Sequence, residues 1–330
     1  MPILRKFASP AKVSNKKIGG PRAPGAPTIG SATAVTSTTA TVSFTAPAND
    51  GGAVIISYTA TSSPGGITGT LSQAGSGTIT VSGLTTGQAY TFTVTATNAG
   101  GTSIPSSASN SITPVLVIGE AYGGGYFVGK YSSNGNGVAT HNLVIAPKSS
   151  EAARSFRTPA AGSSGDSQFN GAQNTFDIVT YFGDSTTYPA AHYCNDLVVG
   201  GYSDWYLPSR LELEICYYNL KPGTMNNYDP PGNENTNAYA VPQRTGGYTT
   251  GTFGGSPASN PAQTSVTLFQ DGNSEAFSIG TTGNPVYYWS STGSTVSGNE
   301  SRFKVFLYGY GDVINNIFQF QTRAMRKVAV

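Results

Sequence analysis

Charge is what this sequence has least of. Lys, Arg, Asp and Glu make up 10% of its 330 residues, against about a quarter in an ordinary globular chain. A charge-laced coiled coil and a charge-driven disordered chain are both excluded. Cysteine is nearly missing: Cys194 and Cys216 are the whole supply, too few for a disulfide framework or a four-thiolate zinc site, though enough for one bridge. No stretch approaches the ~18 apolar residues of a membrane span. The opening MPILRKFASP also lacks the apolar run of a secretory signal, so ordinary signal-dependent export is not expected. What is plentiful is turn-forming and aromatic. Gly and Pro, 42 and 20 residues, stay below the roughly 25–30% that marks low complexity, so the chain is turn-rich but foldable. Nineteen Tyr beside 15 Phe and 2 Trp supply bulky side chains whose polar tips tolerate a half-wet surface.

The net charge of +2 hides an uneven distribution. Arg5, Lys6, Lys12, Lys16, Lys17 and Arg22 precede residue 23 with no acid among them. Residues 1–25 show no apolar periodicity, are broken by Pro2, Pro10, Pro21 and Pro24, and cannot bury enough surface to fold alone. They read as an extended basic arm, either a solvated tail or a segment docked on a protein partner through those six cations. Nucleic acid is not expected, because no aromatic set is interleaved with the basic residues.

Residues 26–114 read as short alternating strands with turn signals every eight to twelve residues, the pattern of an all-β sandwich. Ala40, Val42 and Phe44 alternate with polar neighbours; so do Ile56, Tyr58 and Ala60, and Tyr90, Phe92, Val94 and Ala96. One face of each strand is expected inside and the other wet. Asp50-Gly51-Gly52 and Pro64-Gly65-Gly66 mark hairpin ends. Asp50 is the only charged residue between Ala23 and Ile118, so no carboxylate pair exists there for acid–base chemistry. The stretches APTIGSATAVTSTTATVSFTAPANDGGAVIISYTATSSPGG and ITVSGLTTGQAYTFTVTATNAGGTSIPS resemble a bacterial or phage fibronectin type III domain, an Ig-like sandwich. The resemblance implies that Leu84 and Tyr90 form a tyrosine corner and that the module is a spacer.

Beyond Val115, charges, helix signals and aromatics rise together, so residues 115–330 read as a second domain. Strands are expected over Gly119–Gly129, Gly137–Pro147, Tyr287–Ser291, Phe303–Leu307 and Ile314–Phe320, with Gly309 and Gly311 turning the last hairpin. Helices are expected over Asn174–Phe182 and Tyr188–Leu197. A third starts at Ser209, where Glu212 completes a capping box and Leu211, Ile215 and Tyr218 make a buried stripe. The blocks YGGGYFVG, AAHYCNDL, GGYSDWYLPSRLEL, YWSST and TRAMRKV resemble, in that order, the Lcl-type C-terminal domain of bacterial adhesins and phage tail proteins, and beyond it the wider C-type-lectin-like group. This implies an α+β lectin-like fold. The oxidase branch of that group needs a late cysteine pair, and no thiol follows Cys216.

The residues themselves give no catalytic set. Two histidines, His141 and His192, do not converge with enough partners for zinc, and no nucleophile triad, Walker loop or dinucleotide fingerprint is present. Calcium is the one cofactor with candidates: Asp229 and Glu234, with Asn233 and Asn235, carry hard oxygens on a loop, but six to eight are needed and this loop alone cannot supply them. The alternative is a polar display loop. In lectin-like folds the long insertion after the second helix and the late strands face the ligand, which singles out Tyr228, Asn233, Asn235, Asn237 and Tyr239. Arg302 and Lys304, with Arg323, Arg326 and Lys327, are candidates for an acidic glycan. Trp205 and Trp289 are expected in the core.

Extracellular-type modules without an export signal fit a bacteriophage virion surface protein assembled in the host cytoplasm. The expectation is a non-enzymatic tail fibre or tail-tip component, docked on other virion proteins by its arm and binding a host-surface glycan or receptor. Capsid decoration and a bacterial adhesin are the alternatives. The resemblance to phage receptor-binding proteins, whose domains are often trimers, implies a homo-oligomer and first a homotrimer, and sparse charge on the sandwich leaves few repulsions between copies. No membrane contact is expected.

Overall fold

The computed structural model describes residues 20–157, 167–182, 184–225, 227, 237–244, 261–281, 283–293, 300–307, 311–315 and 318–330. The chain divides into two compact units, Met1–Leu116 and Val117–Val330.

The first unit is a two-sheet sandwich. Strands β1 (Thr28–Ala34), β2 (Thr39–Thr45) and β5 (Gly77–Ser82) form one sheet; β4 (Thr68–Leu71), β3 (Ser57–Ser63), β6 (Thr91–Asn98) and β7 (Gly101–Thr102) form the other. Alternation works as a two-residue period must: Ala40, Val42 and Phe44 on β2, and Phe92, Val94 and Ala96 on β6, are buried together with Tyr58, Ile79 and Leu84. Ile56 departs from the expectation. It is 58% exposed and Ile55 takes the inward place, because β3 begins only at Ser57. The Tyr90 hydroxyl accepts the Thr85 backbone N–H at 3.0 Å, closing the expected corner beside buried Leu84. Residues 22–25, read from sequence as arm, belong to the sandwich. Arg22 N–H donates to Gly51 carbonyl at 2.9 Å and Gly25 N–H to Asn49 carbonyl at 2.8 Å, while the Asn98 amide donates to Arg22 carbonyl at 2.8 Å. Gly51, at φ +75°, has Arg22 carbonyl oxygen 2.0 Å from where a Cβ would sit, so no larger residue fits.

One edge of β6 is closed by side chains. Ser103, Ser106 and Ser109 each donate their backbone N–H to the carbonyl of Ala96, Val94 and Phe92, and each hydroxyl accepts the N–H of that same residue at 2.9–3.0 Å. The hydroxyl protons go on to the next carbonyl, of Ile104, Ser107 and Asn110. Three residues of this segment thus cover two of β6, about 6.6 Å of strand. Serine at every third position does the work of a carbonyl at every second.

The second unit is α+β. One sheet runs β12 (Ala240–Val241), β9 (Gly125–Tyr131), β10 (His141–Ile145), β19 (Met325–Ala329), with β8 (Ala121–Tyr122) hairpinned onto β9; the other runs β11 (Ala152–Ser155), β18 (Gln319–Thr322), β15 (Tyr287–Gly293), β16 (Glu300–Val305), β17 (Val313–Asn315). A short ribbon pairs β13 (Gly280–Thr281) with β14 (Asn284–Pro285). The stretch 314–320, read as one strand, is two: β17 pairs with β16, while β18 pairs with β11 and runs parallel to β15. Helices are α1 (Gly171–Asp177), passing into a single π-turn at Ile178–Phe182, then α2 (Pro189–Asn195) and α3 (Arg210–Leu220). The β8–β9 turn places Gly123 and Gly124 at φ +56° and +82°, the geometry of a two-residue hairpin. A Cβ on Gly200 would lie 2.3 Å from Gly124 Cα, so these turns meet backbone to backbone.

β10 is buried on both faces. Leu143 and Ile145 join a core with α3, Phe269, Phe277 and Phe306; Val144 and Ala146 join another with α2, Trp205, Trp289 and Phe320. Rings fill both: Phe277 stacks on Phe306 at 3.8 Å and Trp289 on Phe320 at 4.4 Å. The capping box of Ser209 and Glu212 forms as expected, but α3 carries no single stripe. Leu211, Glu212, Leu213, Glu214, Ile215, Cys216, Tyr217 and Leu220 are all buried, while Tyr218 is half-buried.

The serine edge can be tested directly. Ser106→Ala leaves the Val94 N–H without its acceptor, and urea unfolding of the full chain is expected to show a loss of about 1–2 kcal/mol. A loss no larger than that of Ser107→Ala would remove the hydroxyls from the account of this edge.

Candidate functional site

The cations of the last segment are inward. Lys327 Nζ lies 2.8 Å from Glu212 Oε1 and 3.1 Å from Asn170 Oδ1, over the Tyr131 ring at 4.3 Å. The Glu212 carboxylate also accepts the Ser209 N–H at 2.8 Å, the Gly171 N–H at 3.2 Å and the Tyr206 hydroxyl at 3.3 Å. Arg323, its side chain fully buried, donates to Ala146 carbonyl, Glu275 carbonyl and Glu275 Oε2, each at 2.8 Å, flanked by Phe277 at 4.8 Å. Burial pushes its guanidinium below the usual range. Arg326 grips Asp204 through two 2.8 Å bonds and lies on the Tyr202 ring at 3.8 Å. Each of these three cations is therefore spent on one acid from a different segment, so none is presented to an acidic glycan as the sequence suggested.

The other expected ligand residues divide. Asn237 is fully buried: its amide donates to Leu211 carbonyl at 2.9 Å and Glu214 at 2.7 Å, and its Oδ1 accepts the N–H groups of Tyr239 and Ala240. It holds its loop to α3 instead of displaying itself. Glu214 also meets Arg244 at 2.6 Å, whose guanidinium covers the Tyr218 ring at 4.1 Å. Tyr239 is half-buried in a stack, 4.3 Å from Phe169 and 6.2 Å from Tyr131. Lys304 is buried, 5.0 Å over the Tyr217 ring, and Arg302 is half-buried on β16. Tyr228, Asn233 and Asn235, the calcium candidates Asp229 and Glu234, Gly309, and the arm residues Arg5, Lys6, Lys12, Lys16 and Lys17 lie outside the described residues.

Trp205 and Trp289 are core, as expected. Cys194 and Cys216 are free and buried in different clusters, and burial raises both thiols well above the usual range, which suppresses the thiolate that a nucleophile needs. His141 Nδ1 sits 2.9 Å from Thr140 Oγ1; burial and then Lys327 lower its pKa. Among the described residues no three His, Cys, Asp or Glu side chains gather closely enough to hold a metal.

Sequence reasoning missed an exposed aromatic group on α1 and the π-turn. Phe176, Tyr181 and Phe182 are 53%, 71% and 47% exposed, with Phe176 and Tyr181 edge to face at 6.0 Å. The signal was in VTYFG: a fifth residue in one turn rotates the following side chains away from the α-helical face, and such turns are frequent at functional sites. The turn is invisible to a 3.6-residue period, and the sequence pattern reads only as one helix over 174–182.

Two buried charges generate predictions. Lys327→Met strips the cation from the Glu212 carboxylate and is expected to cost about 3–5 kcal/mol in chemical denaturation, while adding Glu212→Gln restores most of it. A cost within about 0.5 kcal/mol, the level of a surface change, would show that the pair holds nothing. Lys221 is buried, donates to Met225 carbonyl at 2.5 Å and Pro261 carbonyl at 3.2 Å, and burial lowers its pKa to about 8. The unfolded chain keeps that proton to about 10.4, so between those values the unfolded state binds more protons and stability rises with pH. Melting temperatures of the wild type and Lys221→Met, compared from pH 7 to 11, are expected to diverge in that window; parallel curves would refute the shift.

Residues 25–112 match the family model of the fibronectin type III domain. No curated protein matches the chain. Among solved structures, "Titin kinase and its flanking domains" is similar at 25% identity over 28% of this chain and 17% of that one, with a TM-score of 0.25. The twitchin kinase region from C. elegans is similar at 23% identity over 30% and 18%, TM-score 0.25. A human fourth FNIII domain in solution is similar at 21% identity over 35% and 96%, TM-score 0.25. The chain thus spans less than a fifth of the length of the titin and twitchin structures. Residues 25–112 are a fibronectin type III sandwich.

Proposed function

We propose that the chain is a bacteriophage virion surface protein, on the tail fibre or tail tip, whose basic arm docks on other virion proteins and whose second unit, a lectin-like domain, binds a host-surface glycan or receptor. The fibronectin type III sandwich is the spacer, and the particle carries the chain as a homo-oligomer, a trimer by preference. The observation that carries a binding role is the placement of charge and rings in the second unit. Arg323, Arg326 and Lys327 are turned inward onto Glu275, Asp204 and Glu212, while Phe176, Tyr181 and Phe182 are turned outward. Aromatic side chains on a rigid support offer large contact area at little entropic cost, as in adaptable binding surfaces. Buried thiols with raised pKa values fit recognition better than covalent catalysis.

The reading is tested in two steps. Antibody against the full chain is expected to label purified phage particles at the tail, and the labelled chain is expected to bind host cells. The triple variant Phe176→Ser, Tyr181→Ser, Phe182→Ser is expected to lose most cell binding while its melting temperature moves little. Label on no particle removes the virion assignment, and equal cell binding by the variant moves recognition away from this face.

A further inference from the structure

A groove of about 360 Å³ opens on the second unit between β11, the 184–188 turn and α2, lined by Arg154, Ser185, Pro189, His192, Tyr193, Asp196, Leu197 and Val198. Its size falls in the range of small-molecule sites, and its walls combine an apolar side with a few polar groups, as such sites do. Two of those groups carry opposite charge. Among the described residues Arg154 makes no ion pair: Nη1 donates to its own neighbour, Ala153 carbonyl, at 2.8 Å, and the guanidinium lies 4.6 Å over the Tyr193 ring. Asp196 accepts one amide bond, from Asn195 at 3.0 Å. The four ion pairs among the described residues, Arg244–Glu214, Arg323–Glu275, Arg326–Asp204 and Lys327–Glu212, do not include these two.

The contrast with the cations of the last segment is the argument. Arg323, Arg326 and Lys327 each found an acid, whereas here a cation and an acid line one groove with no ion pair between them. The groove's walls are fixed from behind. The Trp289 indole N–H donates to Arg154 carbonyl at 2.8 Å, tying β11 to the core. The Tyr193 hydroxyl donates to Ser150 carbonyl at 2.6 Å, tying α2 to the turn before β11. Asp196 ends α2, its N–H on His192 carbonyl at 2.9 Å. The rim at Ser185 is stiffened because Asp184 Oδ1 accepts both the N–H and the hydroxyl of Thr186 and of Thr187, at 2.7–3.1 Å. A site held this way loses little entropy when a ligand enters.

We propose that this groove binds a small zwitterion with an apolar group, the chemistry of a free α-amino acid with an aliphatic side chain. Its carboxylate takes the open N–H groups of Arg154, the bidentate partner a guanidinium fits. Its ammonium takes the Asp196 carboxylate, and its aliphatic part lies against Pro189, Leu197 and Val198, the last 72% exposed. The proposal does not depend on the virion reading.

Titration of the full chain with leucine, 4-methylpentanoate and 3-methylbutylamine, followed by two-dimensional NMR at low salt, dissects the charges. Leucine is expected to give saturable shifts centred on Tyr193, Asp196 and Val198. Each half-ligand, lacking one charge, is expected to bind at least about tenfold more weakly, since a hydrogen bond to a charged group contributes about that much. Arg154→Gln is expected to erase the advantage of leucine over 3-methylbutylamine, and Asp196→Asn its advantage over 4-methylpentanoate. Leucine binding no tighter than either half-ligand, or shifting residues elsewhere, overturns the proposal. The comparison on the wild-type chain decides it even if a variant fails to fold. Loss of cell binding by the aromatic triple variant would leave this result unchanged.

Discussion

The second unit depends on one buried carboxylate. Glu212 sits at the third position of α3 with no exposed surface, and it is reached from four directions: Ser209 at the helix start, Gly171 at the start of α1, Tyr206 from the preceding loop, and Lys327 from the last strand. A capping box ordinarily satisfies two backbone donors at a surface helix end. Here the same side chain adds a second helix and the closing strand to its partners, so the start of α3, the start of α1 and β19 are fixed by one group. The geometry leaves no room beside it: a Cβ on Gly171 would meet Glu212 Oε2 at 2.5 Å.

Its neighbours extend that logic. Glu275 receives Arg323 from above and the Lys148 backbone N–H at 2.7 Å from the side, and Asp204 receives Arg326 while Gly123 carbonyl takes the third guanidinium bond at 2.9 Å. Buried pairs such as Lys327–Glu212 and Arg323–Glu275 add little net stability over well-packed apolar residues, but an unmatched member is costly; Arg326–Asp204, whose acid is exposed, is the partly solvated member of the set. They therefore act as registration marks. A slip of β19 by one residue exchanges Arg326 for Lys327 and leaves a buried acid without its cation, on a strand whose neighbour β10 is buried on both faces and cannot correct the error by exposing one.

Much of this was legible in the sequence and some was not, for definite reasons. The sandwich was legible because its strands obey a two-residue period with one wet face; Tyr90 and Leu84 fell where the corner requires them. The α3 start was legible because Ser209 and Glu212 have a spacing with one mechanical meaning. Ile56 misled because two adjacent isoleucines share one strand entry and only one can face inward. The 103–109 segment was opaque: alternation sees apolar side chains, whereas this edge is built from hydroxyls at a three-residue interval, in a stretch whose Pro and Ser content resembles a loop. Arg323, Arg326 and Lys327 were placed outside because cations usually are. Asn237 was placed outside for the same reason among amides, yet its four bonds are satisfied by α3 and its own loop.

The scarcity of charge is the thread that joins the two units. Charged residues are 10% of the chain, and Glu212, Glu214 and Glu275 are each matched to a cation in the interior, which leaves sparse charge for the exterior. Such a surface has weak long-range steering, because association rates rise with complementary fields. On the proposed reading its contacts are instead made at close range, through exposed rings such as Tyr181 and Phe182. Arg154 and Asp196 line one groove with no ion pair among the described residues. Under the proposal above, a ligand that bridges Arg154 and Asp196 completes in that groove what Glu212 and Lys327 complete in the core.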